Sequence, residues 1–227
     1  IGRNIIDETY RIYSGKSKYS RNYCNETRIS LEEKKAPGRK LDIYLRAYND
    51  GAAFRYGIPE QPNINSFVIS TEETYYKFAG DYQCWAMKKD RFRHSYEGEY
   101  RPYKLSTIND TPGDSTSYFP YITLPVTMKM NDDLYVSVSE ANITNYPGMH
   151  LIKTGGYTLK SKLAPDTLYK NISVRGNTPA LSPWRLFIIG NRPGKLIESN
   201  LIMNLNDPNK FQDAGEWLKP GKSTWSW

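Results

Sequence analysis

Carboxylates, imidazoles and thiols are the side chains of this sequence able to do chemistry, and their spacing singles out one of them. Glu140 closes the run Leu134-Tyr-Val-Ser-Val-Ser-Glu, in which Leu134, Val136 and Val138 alternate with Tyr135, Ser137 and Ser139. That is the two-residue period of a strand with one buried face. Glu140 falls in the apolar register, so its carboxylate must be paired, hydrogen-bonded or bound to a metal, because isolation there is costly. Asn145, Tyr146, Pro147 and Gly148 follow as a turn that stops the strand and holds polar groups beside the carboxylate. Glu97 and Glu99, in Tyr-Glu-Gly-Glu-Tyr, have the spacing of a general acid and base, or of two acids facing solvent from one side of an extended chain. His94 and His150 have no partner at metal spacing and read as surface or turn residues. Cys24 and Cys84 belong to no CxxC or Cys/His spacing, and whether they pair is open.

The elements that must position Glu140 are strands. Leu41, Ile43, Leu45 and Ala47 alternate with polar neighbours, and after Asn49-Asp50-Gly51 the residues Ala52, Phe54, Tyr56 and Ile58 share one face, which predicts a hairpin with Asp-Gly turn chemistry. A second hairpin is predicted from Ile122 to Met130, turning at Asn131-Asp132-Asp133 into the Glu140 strand. Gly155-Gly156 joins a third pair, Leu151 to Lys153 with Tyr157 to Leu163. Shorter strands are expected at Phe67 to Ile69, Tyr75 to Phe78, Ile172 to Arg175, Trp184 to Ile189 and, after a turn at Gly190 to Gly194, Leu196 to Leu205. Residues 1 to 30 show little periodicity and read as extended segments or loops. No amphipathic helix of three turns is visible, although Asp207 to Trp217 has room for a short one. Many short strands broken by Gly, Pro, Asn and Asp predict an all-β antiparallel sandwich or barrel in one domain.

Composition narrows the partners. The 31 Lys and Arg exceed the 24 Asp and Glu by 7, but the two signs are interspersed and form no long basic run, which argues against nucleic acid. No stretch is apolar enough to span a membrane, and the first residues do not read as a signal peptide. The 19 Tyr favour strands and surfaces that stack on flat ligands such as sugars.

Four motifs in order carry a resemblance: Arg46 to Tyr56 (RAYNDGAAFRY), Ser139 to Met149 (SEANITNYPGM), Thr178 to Arg185 (TPALSPWR) and Trp217 to Trp227 (WLKPGKSTWSW). With Asp7 to Tyr10, Arg21 to Glu26 and Tyr96 to Tyr100 they are spread from residue 7 to residue 227, so the resemblance extends over nearly the whole chain. Together they resemble the N-terminal domain of glycoside hydrolase family 97. The resemblance implies a β-supersandwich of the galactose-mutarotase type over residues 1–216. It also implies a linker beginning at 217–227, toward a (β/α)8 barrel that carries the catalytic acid and the base or nucleophile. The resemblance further implies leading strands before Asp7, so this sequence is expected to start inside the family's N-terminal domain.

By the same resemblance the intact enzyme is a calcium-dependent α-glucosidase or α-galactosidase, periplasmic or secreted, acting on an α-linked oligosaccharide. Glu140 matches the glutamate that the sandwich lends to the calcium, the other ligands coming from the barrel; calcium takes several oxygens at once, so no tight site is expected in this chain alone. Asn145 and Tyr146 either hydrogen-bond a sugar hydroxyl or cap the turn. Trp184 and Arg185 either bind a sugar or face the barrel, or else serve as core residue and surface ion pair. Lys219, Lys222, Trp225 and Trp227 are expected in the inter-domain connection. The chain itself is expected to have no turnover, and a stand-alone carbohydrate-binding module is the alternative.

Overall fold

The computed structural model describes residues 1–108, 121–169, 171–211 and 213–226. Strands β1 (Gly2–Arg11), β2 (Tyr19–Glu32), β3 (Lys40–Tyr48) and β4 (Gly51–Ile58) follow one another as hairpins. Then come β5 (Ser66–Ile69), β6 (Tyr75–Lys77), β7 (Gln83–Ala86), β8 (Lys88–Lys89) and β9 (Arg101–Lys104). The second half supplies β10 (Tyr121–Ile122), β11 (Val126–Asn131), β12 (Leu134–Ala141), β13 (Met149–Gly155), β14 (Thr158–Leu163), β15 (Val174–Asn177), β16 (Ala180–Leu181) and β17 (Trp184–Gly190). Helices α1 (Pro193–Glu198), α2 (Leu201–Asn204) and α3 (Ala214–Trp217) close the described chain.

Among the described residues all strand pairing is antiparallel. The large sheet has the order β1-β2-β3-β4-β17-β12-β11-β7-β9, with β16 beside β4, and the second sheet has the order β6-β14-β13-β10-β8. Val126, Met128 and Val138 of the first sheet meet Met149, Leu151 and Leu159 of the second in a core with little or no exposure, each burial contributing about 1.5–3 kcal/mol. The all-β sandwich expected from the alternation is therefore the fold. The hairpin at Asn49-Asp50 forms with Tyr48 opposite Gly51, and the hairpin of β13 and β14 turns through Gly155 and Gly156, the latter at φ +48°.

Three local expectations differ. Residues 1 to 30 form one long hairpin, β1 with β2, whose polar residues hid its period because its buried face is itself polar: Ser20 and Asn22 pack there, with Asn204 accepting from the Tyr10 and Ser20 hydroxyls at 2.9 and 2.8 Å. The run from Ile122 to Met130 is two strands in different sheets, parted at Leu124-Pro125. Leu196 to Leu205 forms the end of α1 and then α2, broken at Ser199 and Asn200, rather than a strand. Pro193 suits a first helical turn, and Leu201 and Leu205, four apart, lie on one helical face against Trp184, Leu186 and Ile188.

The second sheet covers only part of the first. Its β6 edge reaches β4, where the Tyr56 hydroxyl lies 3.2 Å from Thr74 Oγ1. Beyond it, the apolar face of β2 and β3 is only partly covered: Leu41 and Ile43 are half-buried, and Leu31 and Leu41 share a cleft with Phe67 and Ile69 of β5, but Leu45 is 40% exposed, while Asp42 on the opposite face is buried. The apolar register of the β3 hairpin is thus not wholly its buried register.

Candidate functional site

Strand β12 delivers Glu140 to the end of the sheet, directly across from Arg185 on β17. The turn after it contains Asn142 and Asn145, both left-handed at φ +57° and +53°, a conformation Asn tolerates better than most residues. Asn142 anchors the turn: its backbone N–H donates to Asn206 Oδ1 at 3.0 Å and its Nδ2 to Asp207 Oδ1 at 3.1 Å. The Met149 N–H, where β13 begins, donates to Glu140 Oε1 at 2.9 Å.

Arg185 is fully buried between two carboxylates. Its Nε and Nη2 donate to the two oxygens of Glu72 at 2.9 and 2.7 Å, and its Nη1 donates to Glu140 Oε2 at 2.6 Å. Glu72 also accepts from Thr74 Oγ1 at 2.9 Å and from the Tyr146 hydroxyl at 3.1 Å. A carboxylate has about four accepting positions. Glu72 therefore has every position used, whereas Glu140 accepts one bond on each oxygen from the described residues and, among them, keeps capacity for further ligands.

The electrostatics point the same way. Two carboxylates and one guanidinium leave a net charge of −1 in a site where the Glu140 side chain is only 9% exposed. Burial raises the Glu140 carboxyl above its ordinary value, outweighing Arg185 and the Met149 amide, which lower it. Burial likewise raises the Tyr146 phenol, with Glu72 adding to the shift. Such an under-neutralised carboxylate suits a hard cation, which oxygen donors hold. Among the described residues, however, no three His, Cys, Asp or Glu side chains gather to hold a metal. A metal held at Glu140 would need ligands from beyond this cluster.

A cleft of about 940 Å³ opens beside this cluster, and Asn145, Tyr146, Arg175, Asn177 and Ser182 are among the residues that line it. Of the residues singled out from sequence, Glu140, Tyr146 and Arg185 converge around Glu72, and exposed Asn145 lines the adjoining cleft. Trp184 does not join them. It is buried on the opposite face of β17, with the guanidiniums of Arg46 and Arg55 at 4.6 and 4.3 Å from its ring. The ion pair of Arg185 is interior, not on the surface. Glu97 and Glu99 are exposed, Glu99 pairing with Arg101 at 2.9 Å. Lys219, Lys222 and Trp225 lie on exposed chain after α3, and Trp227 lies outside the described residues. Cys24 and Cys84 are separate buried thiols. His150 is a buried strand residue rather than a surface or turn residue.

Glu72 was not legible beforehand. It sits in the polar run Ser70-Thr-Glu-Glu-Thr74 with Glu73 beside it, and only the need of a buried arginine for a counter-charge could have called for one of them.

A family model described as Glycosyl-hydrolase 97 N-terminal matches residues 2–208. The retaining alpha-galactosidase of Bacteroides thetaiotaomicron is 27% identical over 254 residues, spanning 99% of this chain and 35% of that protein. A probable retaining alpha-galactosidase of Streptomyces bingchenggensis is 22% identical, over 99% of this chain and 32% of that protein. The chain thus spans about a third of the length of these curated relatives. Among solved structures, a glycoside hydrolase family 97 enzyme of Pseudoalteromonas sp. strain K8, in complex with acarbose, superposes with a TM-score of 0.83. It shares 24% identity over 97% of this chain and 31% of its own.

Proposed function

The chain belongs to the glycosyl-hydrolase 97 N-terminal family, and from that we propose that it serves an α-glycosidase as the domain that lends Glu140 to a calcium ion. The observation that carries this reading is the contrast between the two glutamates of Arg185: Glu72 is saturated by protein donors, whereas Glu140 is held in place with accepting positions left over. The remaining ligands would come from a catalytic barrel, together with the acid and the base or nucleophile. Calcium bound there would polarise or orient groups at the glycosidic bond. This chain's own part is to fix the Glu140 oxygens, through the Met149 amide and Arg185, and to shape the cleft at Asn145 and Tyr146. The exposed segment with Lys219, Lys222 and Trp225 is assigned to the connection between the two domains. The names of the curated relatives favour an α-galactoside over an α-glucoside.

The test is Glu140→Gln in an enzyme that joins this domain to its barrel. Hydrolysis of an aryl α-galactoside should lose its dependence on added calcium and fall at least about a hundredfold, the scale on which loss of an electrostatic stabiliser acts. An unchanged calcium response in a folded variant would defeat the assignment. The cleft also supports a second reading, a carbohydrate-binding module acting alone. Calorimetry of this chain with an α-galacto-oligosaccharide decides it, saturable binding without a barrel being its signature.

A further inference from the structure

The two histidines of the chain form a cluster separate from the glutamate site. His150 lies on β13 between Met149 and Leu151, which point into the core, so its own ring points to the outer face of the second sheet. It is nonetheless 2% exposed, because residues 90–100 fold over it. Phe92 and Tyr121 of β10 meet its ring edge-on at 5.0 and 6.1 Å, Tyr96 lies tilted against it at 5.9 Å, and His94 Nε2 lies 2.9 Å from His150 Nε2.

The tautomers follow from one neighbouring bond. The Tyr96 backbone N–H donates to His94 Nδ1 at 3.0 Å, so Nδ1 is an acceptor and the proton of neutral His94 sits on Nε2. That Nε2–H must donate to His150 Nε2, which leaves the His150 proton on Nδ1, a buried atom with no hydrogen-bond partner among the described residues. Both imidazole lone pairs are then in use. A proton added at His94 Nδ1 breaks the bond to the Tyr96 amide; one added at His150 Nε2 breaks the bond between the rings. Tyr96 has φ +57°, a backbone state a non-glycine residue keeps only when its surroundings hold it.

The charges around the pair also resist an imidazolium. Lys162 stands across from His150 on β14, and Lys89 of β8 donates to the Glu97 carbonyl within the overlying segment. Asp90 is the acid acting on His94, and the charge of Glu140 on β12 is felt at Tyr96. Among the described residues, the phenols of Tyr96 and Tyr121 are the other titratable groups against the rings. Burial first, and then His94, lower His150 from 6.5 to about 4; burial and then Lys89 lower His94, against Asp90.

We propose that His94 and His150 form an acid-released latch that pins residues 90–100 over the outer face of β13. The sign follows from linkage: once opened, the rings take up protons near 6.5, whereas the latched His150 does so only near 4. Opening is therefore favoured as pH falls through that window. Because β13 starts at Met149, whose amide holds Glu140, release loosens the support on one side of the glutamate site.

With only two histidines in the chain, long-range 1H–15N spectra at pH 7.5 assign both rings without ambiguity. The expected result is a protonated Nε2 on His94 and a protonated Nδ1 on His150; the reverse pair overturns the latch. Hydrogen exchange of the Tyr96 amide, corrected for its intrinsic rate, should lose protection by up to about tenfold per pH unit between pH 6.5 and 4. Protection that stays flat across that range rejects the proposal. In His94→Ala the Tyr96 amide should be unprotected at every pH, and a variant that keeps the wild-type pH dependence rejects it as well.

Discussion

Arg185 joins two glutamates of the same charge that do different work. Glu72 takes two of its donors and fills its remaining positions with Thr74 and Tyr146, so it is the structural counter-ion. Removing that charge leaves a buried guanidinium poorly compensated, and Glu72→Gln should cost about 3–5 kcal/mol in urea unfolding. Glu140→Gln keeps a hydrogen-bond acceptor for the Met149 amide and should cost about 1 kcal/mol or less. The pH dependence separates the two further. Since burial raises the folded-state Glu140 carboxyl above 4.5, the group favours the folded state below 4.5 and loses that contribution as pH rises through its folded value. Unfolding of wild type and Glu140→Gln at pH 4.5 and 7 should therefore show the variant gaining stability relative to wild type at the higher pH.

Among the elements, the hairpin of β3 and β4 and the short helix α2 hold the sheet end that carries Arg185. Gly51 begins β4 across from Ile188 of β17, and a Cβ there would come within 2.1 Å of the Phe187 carbonyl oxygen and 2.6 Å of Leu201 Cδ2. A backbone oxygen cannot retreat as a side chain can, so Gly51→Ala should cost about 3 kcal/mol, at the upper end for overpacking. Leu201, fully buried, docks α2 onto Trp184, Leu186 and Ile188. Thermal or urea unfolding of Leu201→Ala should show a loss of about 2–5 kcal/mol. An unchanged midpoint would mean that the helix is not part of the cooperative unit.

At the scale of the molecule, the partly covered face of β2 and β3 sets the chain's behaviour in isolation. Leu31 and Leu45 are both exposed on it, and β1 and β6 are edge strands of their sheets. Exposed apolar surface beside open strand edges promotes association. Leu45→Lys should change stability by no more than about 0.5 kcal/mol, as for an ordinary surface position, while lowering the self-association seen by sedimentation velocity. Self-association equal to that of wild type would show that this face is not the contact.

What the sequence by itself determined is local and periodic. Alternation marked β12 and the β3 hairpin, turn residues marked Asn49-Asp50 and Gly155-Gly156, and the ordered motifs carried the family, because period and turn chemistry act over a few neighbouring residues. The tertiary structure decided the partners. Glu140 meets Arg185 across 45 positions of sequence, Arg185 meets Glu72 across 113, and His94 meets His150 across 56. No local pattern encodes which strands become neighbours, or how far one sheet extends over the other. A two-residue period says that a strand has two faces; only the packing of distant elements on β2 and β3, which leaves Leu45 exposed and buries Asp42, determines which of them meets water.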